Sequence, residues 1–224
     1  MEEVLARVPL FAALGPEAVH SLEGSITRRE VSRGDVIFNE GDDGDALFVI
    51  EEGKVKIARS APDGRENLLT VFGPGEMFGE LSLFDPSPRT ASAIAVTDGR
   101  LLQFPHEALR PWLSECPEAA PALLQALAQR LRRTNETLAD LVFSDVPGRV
   151  AKTLLSLADR FGRADGDGVR VTHDLTQEEL AQLVGASRET VNKALADFAS
   201  RGWLRLEGRA VVLIDRDRLA RRAR

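Results

Sequence analysis

The chain has 224 residues, 43% hydrophobic and 29% charged, with a formal net charge of −6, the composition of a globular protein able to form one large domain or two small ones. Its single cysteine, Cys116, excludes an internal disulfide and leaves no thiolate set for a structural zinc or an iron–sulfur cluster. No apolar run is long enough for a membrane helix, and the acidic start Met1-Glu2-Glu3 lacks the pattern of a secretory signal, so a cytoplasmic protein with no membrane partner is expected.

Charge is unevenly distributed along the chain. Residues 1–144 hold 14 Lys+Arg against 23 Asp+Glu, giving −9, whereas residues 145–224 hold 15 against 12, giving +3. Two parts with different partners are implied. Residues 3–25 carry short helical periodicity through Val4, Leu5, Val8, Leu10, Phe11 and Leu14, then, after Gly15-Pro16, Val19 and Leu22. From Val31 to about Phe104 the period changes to two, and turn signals recur at Arg33-Gly34-Asp35, Gly41-Asp42-Asp43-Gly44, Glu52-Gly53, Pro62-Asp63-Gly64, Gly73-Pro74-Gly75 and Asp98-Gly99. Short strands at that spacing predict a sandwich or barrel. The plainest hairpin joins Lys54–Arg59 to Glu66–Phe72 through Pro62-Asp63-Gly64.

Within this β region the stretch Phe78-Gly-Glu-Leu-Ser-Leu-Phe-Asp-Pro-Ser-Pro-Arg-Thr-Ala sets Glu80 and Arg89 nine residues apart in what otherwise reads as buried strand. On the residues alone, the two could form a buried ion pair. Such a pair is weak as a stabilising device and calls for another motive.

After Pro117 the pattern is helical again: Leu124, Leu127, Leu131, Thr134, Leu138 and Leu141 follow at spacings of 3, 4, 3, 4 and 3, a heptad seam. An amphipathic helix lying on its own domain would show the same period. Thr134 in the middle of the leucines, with Asn135 beside it, favours a dimeric coiled coil that has a use for one polar layer. Asp145-Val146-Pro147-Gly148 breaks the pattern and marks a hinge. A further amphipathic helix over Val150–Phe161 follows, and Gly166-Asp167-Gly168 turns the chain into a short strand, Val169–Thr172.

Residues 175–198 predict a helix-turn-helix. Thr176 and Glu179 form a capping box, Leu180, Leu183 and Val184 give the first helix its inner face, Gly185 supplies the turn, and Ser187 caps a second helix whose inner stripe is Val191, Leu195 and Phe198. Arg188, Glu189, Asn192 and Lys193 are left outward, a set able to meet guanine, cytosine and phosphate in a major groove. Trp203–Leu206 and Ala210–Ile214, joined at Glu207-Gly208-Arg209, read as a two-stranded wing.

Phe78-Gly-Glu-Leu-Ser-Leu-Phe with Pro88-Arg-Thr-Ala, then Asp145-Val-Pro-Gly-Arg, then Ala186-Ser-Arg-Glu-Thr-Val-Asn-Lys-Ala-Leu, resembles the cyclic-AMP receptor proteins of the CRP/FNR regulators, in their actinobacterial type, over nearly the whole chain and in domain order. The resemblance implies an α+β chain: a β jelly-roll cyclic-nucleotide-binding domain at 1–116, a coiled-coil dimerisation helix at 117–144 and a winged helix-turn-helix DNA-binding domain at 145–224. It implies cAMP as allosteric ligand, with Gly79 admitting its backbone approach, Glu80 accepting from the ribose 2′-hydroxyl, and Arg89 neutralising the cyclic phosphate with help from Thr90 and the amides around Leu81 and Ser82. Thr134 and Asn135 would meet the adenine from the two subunits of a homodimer. Thr176, Ser187, Arg188, Glu189 and Lys193 would contact double-stranded DNA, with RNA polymerase as a further partner. The enteric pattern has serine where Asn135 stands and arginine where Lys193 stands. Two alternatives belong to other classes. One is a nucleoid-type protein that binds DNA broadly and is only weakly tuned by nucleotide. The other is an enzyme acting on cyclic nucleotides, for which His20, His106 and His173 are too scattered to make a metal cluster.

Overall fold

A computed structural model describes every residue outside 1, 6–7, 13–19 and 62–65, and the side chains of all the others except 2, 3, 9, 10 and 23. Leu14, Gly15-Pro16 and Val19 of the expected N-terminal helices, and the Pro62-Asp63-Gly64 turn of the expected hairpin, lie outside the described residues. The chain divides into two compact units, residues 1–133 and 134–224.

Among the described residues of the first unit eight strands follow one another: β1 (Thr27–Val31), β2 (Val36–Phe38), β3 (Ala46–Glu52), β4 (Val55–Ser60), β5 (Glu66–Phe72), β6 (Met77–Phe78), β7 (Ser92–Ala95) and β8 (Gly99–Pro105). They form two four-stranded sheets in the orders β1-β8-β3-β6 and β2-β7-β4-β5, with antiparallel neighbours. This interleaving, in which consecutive strands alternate between sheets except at the β4–β5 hairpin, is a jelly roll. Strands β4 and β5 pair from Val55↔Phe72 to Ser60↔Glu66, as the alternation required.

Strand β3 reads as an unbroken apolar run because both of its faces are covered. Phe48 and Ile50 join Val31, Ile37, Val55, Ile57, Phe78, Ala93 and Leu101 between the sheets, while Leu47 and Val49 point the other way, into a cluster with Phe104, Leu109, Trp112 and Leu123. Strand β8 splits likewise, Leu101 to one side and Leu102 and Phe104 to the other. Period-two alternation decides which cluster a side chain enters, even where no residue is polar. Helices cover that outer face: short α1 (Glu2–Leu5) and α2 (Pro9–Ala12), then α4 (His106–Glu115) and the start of α5 (Ala119–Phe143). A four-residue helix, α3 (Leu81–Phe84), follows β6.

Helix α5 is 25 residues long. Ala119, Ala122 and Leu123 are buried in the first unit, whereas Leu124, Leu131 and Leu138, spaced by heptads, are exposed to 66%, 61% and 57%. One face therefore lies on its own domain and another carries an unpartnered leucine row.

In the second unit, Asp145 caps α6 (Val146–Phe161) by accepting from the Gly148 amide, with Pro147 in the first turn where its missing N–H is harmless. Helix α7 (Gln177–Val184), helix α8 (Arg188–Ser200) and helix α9 (Arg216–Arg222) pack with α6 around Leu154, Leu180, Val191, Leu195, Phe198 and Leu219. The expected two-stranded wing is part of something larger. Strands β11 (Leu204–Glu207) and β12 (Ala210–Leu213) pair with each other, and β12 also pairs with β10 (Gly168–Thr172), which pairs with β9 (Gly162–Asp165), giving a sheet in the order β11-β12-β10-β9. Each unit holds one of the chain's two tryptophans: Trp112 is buried beside Phe11, and Trp203 stacks on Phe198 at 5.3 Å.

Candidate functional site

The residues singled out between 79 and 90 converge at one end of the jelly roll. Glu80 is 1% exposed and Arg89 6% exposed, yet they do not pair with each other. Arg89 donates from Nη1 to the Gly79 carbonyl at 2.8 Å and to Ser82 Oγ at 3.0 Å, and from Nη2 to the Ala46 carbonyl at 2.7 Å; Asp45 Oδ1 lies 3.7 Å away. Its guanidinium rests 4.2 Å above the Phe38 ring, part of an aromatic floor with Phe48, Phe78 and Phe72. Burial pulls the Arg89 pKa down, opposed by Asp45, Glu80 and Asp42; an arginine remains a cation under such a load.

Gly79 has φ +80°, and a Cβ there would stand 2.8 Å from Arg89 Nη1. Glycine is thus required both for the turn out of β6 and for the approach of the arginine. Leu81 and Ser82 open α3, so their amides have no partner within that helix. Leu81 and Thr90 are exposed at the rim, and Ser82 is buried.

Glu80 takes its cation from α5. Arg130 Nη1 bonds Glu80 Oε1, and the Arg130 guanidinium lies 5.3 Å from the Phe72 ring. Arg130 was not singled out in the sequence. A buried carboxylate demands a cation, but Arg130, Arg132 and Arg133 stand together and spacing does not choose among them. At this end of the sandwich, among the described residues, Glu80 Oε2 and Arg89 Nε are buried with no hydrogen-bond partner. Thr134 and Asn135 are exposed in the later part of α5.

The second unit builds the outward face expected of the helix-turn-helix. The capping box is closed both ways: Thr176 Oγ1 accepts from the Glu179 amide at 3.1 Å, and Glu179 Oε2 accepts from the Thr176 amide at 2.7 Å. Gly185 caps α7 at φ +72°, and Ser187 caps α8 by accepting from the Thr190 amide at 3.2 Å. Arg188, Glu189 and Lys193 are exposed on α8. Asn192, expected outside, is half-buried, and its Oδ1 lacks a partner.

Two features of this unit were not foreseen. Arg149 bonds three carbonyls, Val184 at 3.0 Å, Gly185 at 3.0 Å and Ser144 at 2.7 Å, tying the turn of the motif to the end of α5. The Arg209 carbonyl accepts from the amides of His173 and Asp174, so the β11–β12 turn sits beside the entry to α7. Both depend on residues far apart in sequence.

The same architecture occurs in known proteins. Residues 28–116 match the family model described as "Cyclic nucleotide-binding domain", and residues 148–222 match the "Crp-like helix-turn-helix domain". The chain is 60% identical, over 100% of both sequences, to a CRP-like cAMP-activated global transcriptional regulator of Mycobacterium tuberculosis. It is 39% identical, over 88% of each, to a cyclic AMP receptor protein of Thermus thermophilus. A solved structure of a c-di-GMP-responsive global regulator of Xanthomonas campestris superposes with a TM-score of 0.77 at 28% identity, covering 89% of this chain and 99% of the other. With both modules present in order and full-length identity at this level, the chain belongs to the CRP-like transcriptional regulators, which join a cyclic nucleotide-binding domain to a DNA-binding helix-turn-helix.

Proposed function

We propose that the chain is a cAMP-responsive, homodimeric regulator in which nucleotide bound in the jelly roll sets the orientation of two recognition helices on a two-fold DNA site. The observation that carries the reading is the pair of buried, unpartnered charged atoms, Glu80 Oε2 and Arg89 Nε, in one end of the sandwich. Buried polar atoms without partners are costly, and a ribose hydroxyl donating to the first with a cyclic phosphate beside the second would relieve both. Gly79 keeps the wall thin, and Arg89 is the counter-charge. Thr90 and the amides of Leu81 and Ser82 in the first turn of α3 supply further donors to the phosphate.

Thr134 and Asn135, one from each subunit, meet the adenine, which gives the polar break in the α5 leucine row its purpose. Ligand at that seam biases how the paired helices sit, and a two-fold site requires the recognition helices about one DNA turn apart. There Arg188, Glu189 and Lys193 meet base edges or phosphates, with Thr176 and Ser187 at the two helix N-termini. RNA polymerase is the downstream partner of such a regulator, and no residue is assigned a catalytic role. The 60% identity to a regulator described as cAMP-activated supports cAMP as ligand.

The test is calorimetric titration with cAMP, cGMP and c-di-GMP, followed by DNA binding at fixed salt with and without the tightest ligand. One cAMP per subunit that tightens specific DNA binding is the expected result. Nucleotide binding that leaves DNA affinity unchanged would favour the nucleoid-type alternative, tighter binding of c-di-GMP would overturn the ligand assignment, and consumption of cAMP would make the protein an enzyme.

A further inference from the structure

Next to the pocket lies a titratable group with no role in this reading. His106, the first residue of α4, is 5% exposed, and its Nε2 is buried without a hydrogen-bond partner. Its backbone amide donates to the Asp45 carbonyl at 2.8 Å, and its buried ring faces the Gly44 backbone. These contacts hold the segment that walls in Arg89. Gly44 is pressed so closely on Ser82 that a Cβ there would stand 2.1 Å from Ser82 Oγ, and 3.5 Å from the Arg89 guanidinium carbon. Asp45 offers its carboxylate to Arg89, and Ala46 its carbonyl. On the other side of the same loop, the Arg89 amide donates to the Asp42 carbonyl and the Arg89 carbonyl accepts from Gly41, both at 2.8 Å. His106 thus stands one residue layer behind the arginine that the proposed function assigns to the phosphate.

We propose that His106 is a positioning residue of the nucleotide pocket, whose ring fixes the 44–46 wall around Arg89 and takes up a proton when an anionic nucleotide binds. The inference rests on the proposed function. Three charged groups act on the ring: Arg89 across the wall, Arg110 one turn along α4, and Asp45 in the loop. Burial and then the two arginines hold the imidazole pKa below its usual value, opposed by Asp45 and by the Gly44 backbone.

A cyclic phosphate paired with Arg89 cancels one of the two repelling cations, so the imidazole becomes easier to protonate. By linkage the effect is reciprocal: between the free and bound pKa values binding carries proton uptake, and affinity rises as pH falls through that window. Above it the imidazole is neutral in both states and affinity is flat. The phosphodiester does not titrate there, and the chain has only two other histidines, His20 and His173.

The test is calorimetric titration of the full-length protein with cAMP at pH 7.5, 6.5 and 5.5, each in buffers of different ionisation enthalpy, to count protons exchanged. The wild type is expected to take up a fraction of a proton and to bind about fivefold tighter at the acid end, the low range of couplings between sites. His106→Asn, which retains a donor for Gly44 but does not titrate, should bind with no proton uptake and a flat pH profile. His106→Ala, which leaves the wall unsupported, should bind more weakly at every pH; thermal unfolding checks that both variants remain folded. Proton uptake unchanged in His106→Asn, or none in the wild type, overturns the inference while the pocket stands. No cAMP binding at any pH overturns the pocket assignment and this inference with it.

Discussion

Glu80 and Arg89 do not neutralise each other; each is committed elsewhere, Glu80 to Arg130 and Arg89 to three acceptors. That division leaves each with an unspent atom, and it makes the arginine the residue to remove first. Arg89→Ala is expected to lower nucleotide affinity on the order of a hundredfold, the value of one or two charge-assisted hydrogen bonds, with the fold retained; calorimetry beside thermal unfolding checks both, and unchanged affinity would cancel the phosphate assignment. Asp145 offers a second test at this scale. Its bonds to Arg222 and to the Gly148 amide hold its carboxyl below the ordinary carboxylate value. A lowered folded-state pKa stabilises above the unfolded value and is lost as pH falls through the folded one. Asp145→Ala should therefore cost about 1 kcal/mol at neutral pH through loss of the helix cap, and the gap from wild type should close on acidification below about pH 4, as followed by urea unfolding. The sequence displayed Glu80 and Arg89 because they interrupt a strand pattern; it hid Arg130 and His106, which come near them from helices whose docking is fixed only by packing.

At the scale of elements, the helix-turn-helix is the part the sequence declares most fully, since a capping box, a turn glycine and an N-cap serine act within three or four residues of themselves. The sheet beside it was half visible. Strand β9, Gly-Arg-Ala-Asp, is short and largely exposed, with no alternation to announce it, and exists because the turn at 166–167 folds it back on β10. The recognition helix carries the prediction here. Arg188→Ala should remove about 1–3 kcal/mol of discrimination per half-site, measured as the ratio of specific to random DNA affinity at fixed salt. Equal weakening of both would make Arg188 a phosphate contact, with a shallower salt dependence as its mark.

For the whole molecule, the question is what covers α5. The heptad spacing was legible, and so was the competing possibility of a helix lying on its own domain; the start of α5 does lie there, and an exposed leucine row follows on another face. Leu131 and Leu138, each more than half exposed, are surfaces that a lone chain rarely leaves bare. Leu131→Asp combined with Leu138→Asp should yield monomers in sedimentation velocity. Nucleotide binding would then lose only what the second subunit contributes, and affinity for a two-fold DNA site would fall towards that of a half-site. A variant that sediments as a dimer places the subunit contact elsewhere.

The distribution of tryptophan has a spectroscopic consequence. The chain contains no tyrosine and two tryptophans, Trp112 enclosed in the nucleotide-binding unit and Trp203 half-enclosed against Phe198 in the DNA-binding unit. Intrinsic emission is therefore a two-channel signal. Trp112→Phe leaves a fluorophore that watches only the DNA-binding unit and Trp203→Phe one that watches only the other, so the melting of each unit, and any quenching on addition of nucleotide or DNA, can be assigned without an attached dye.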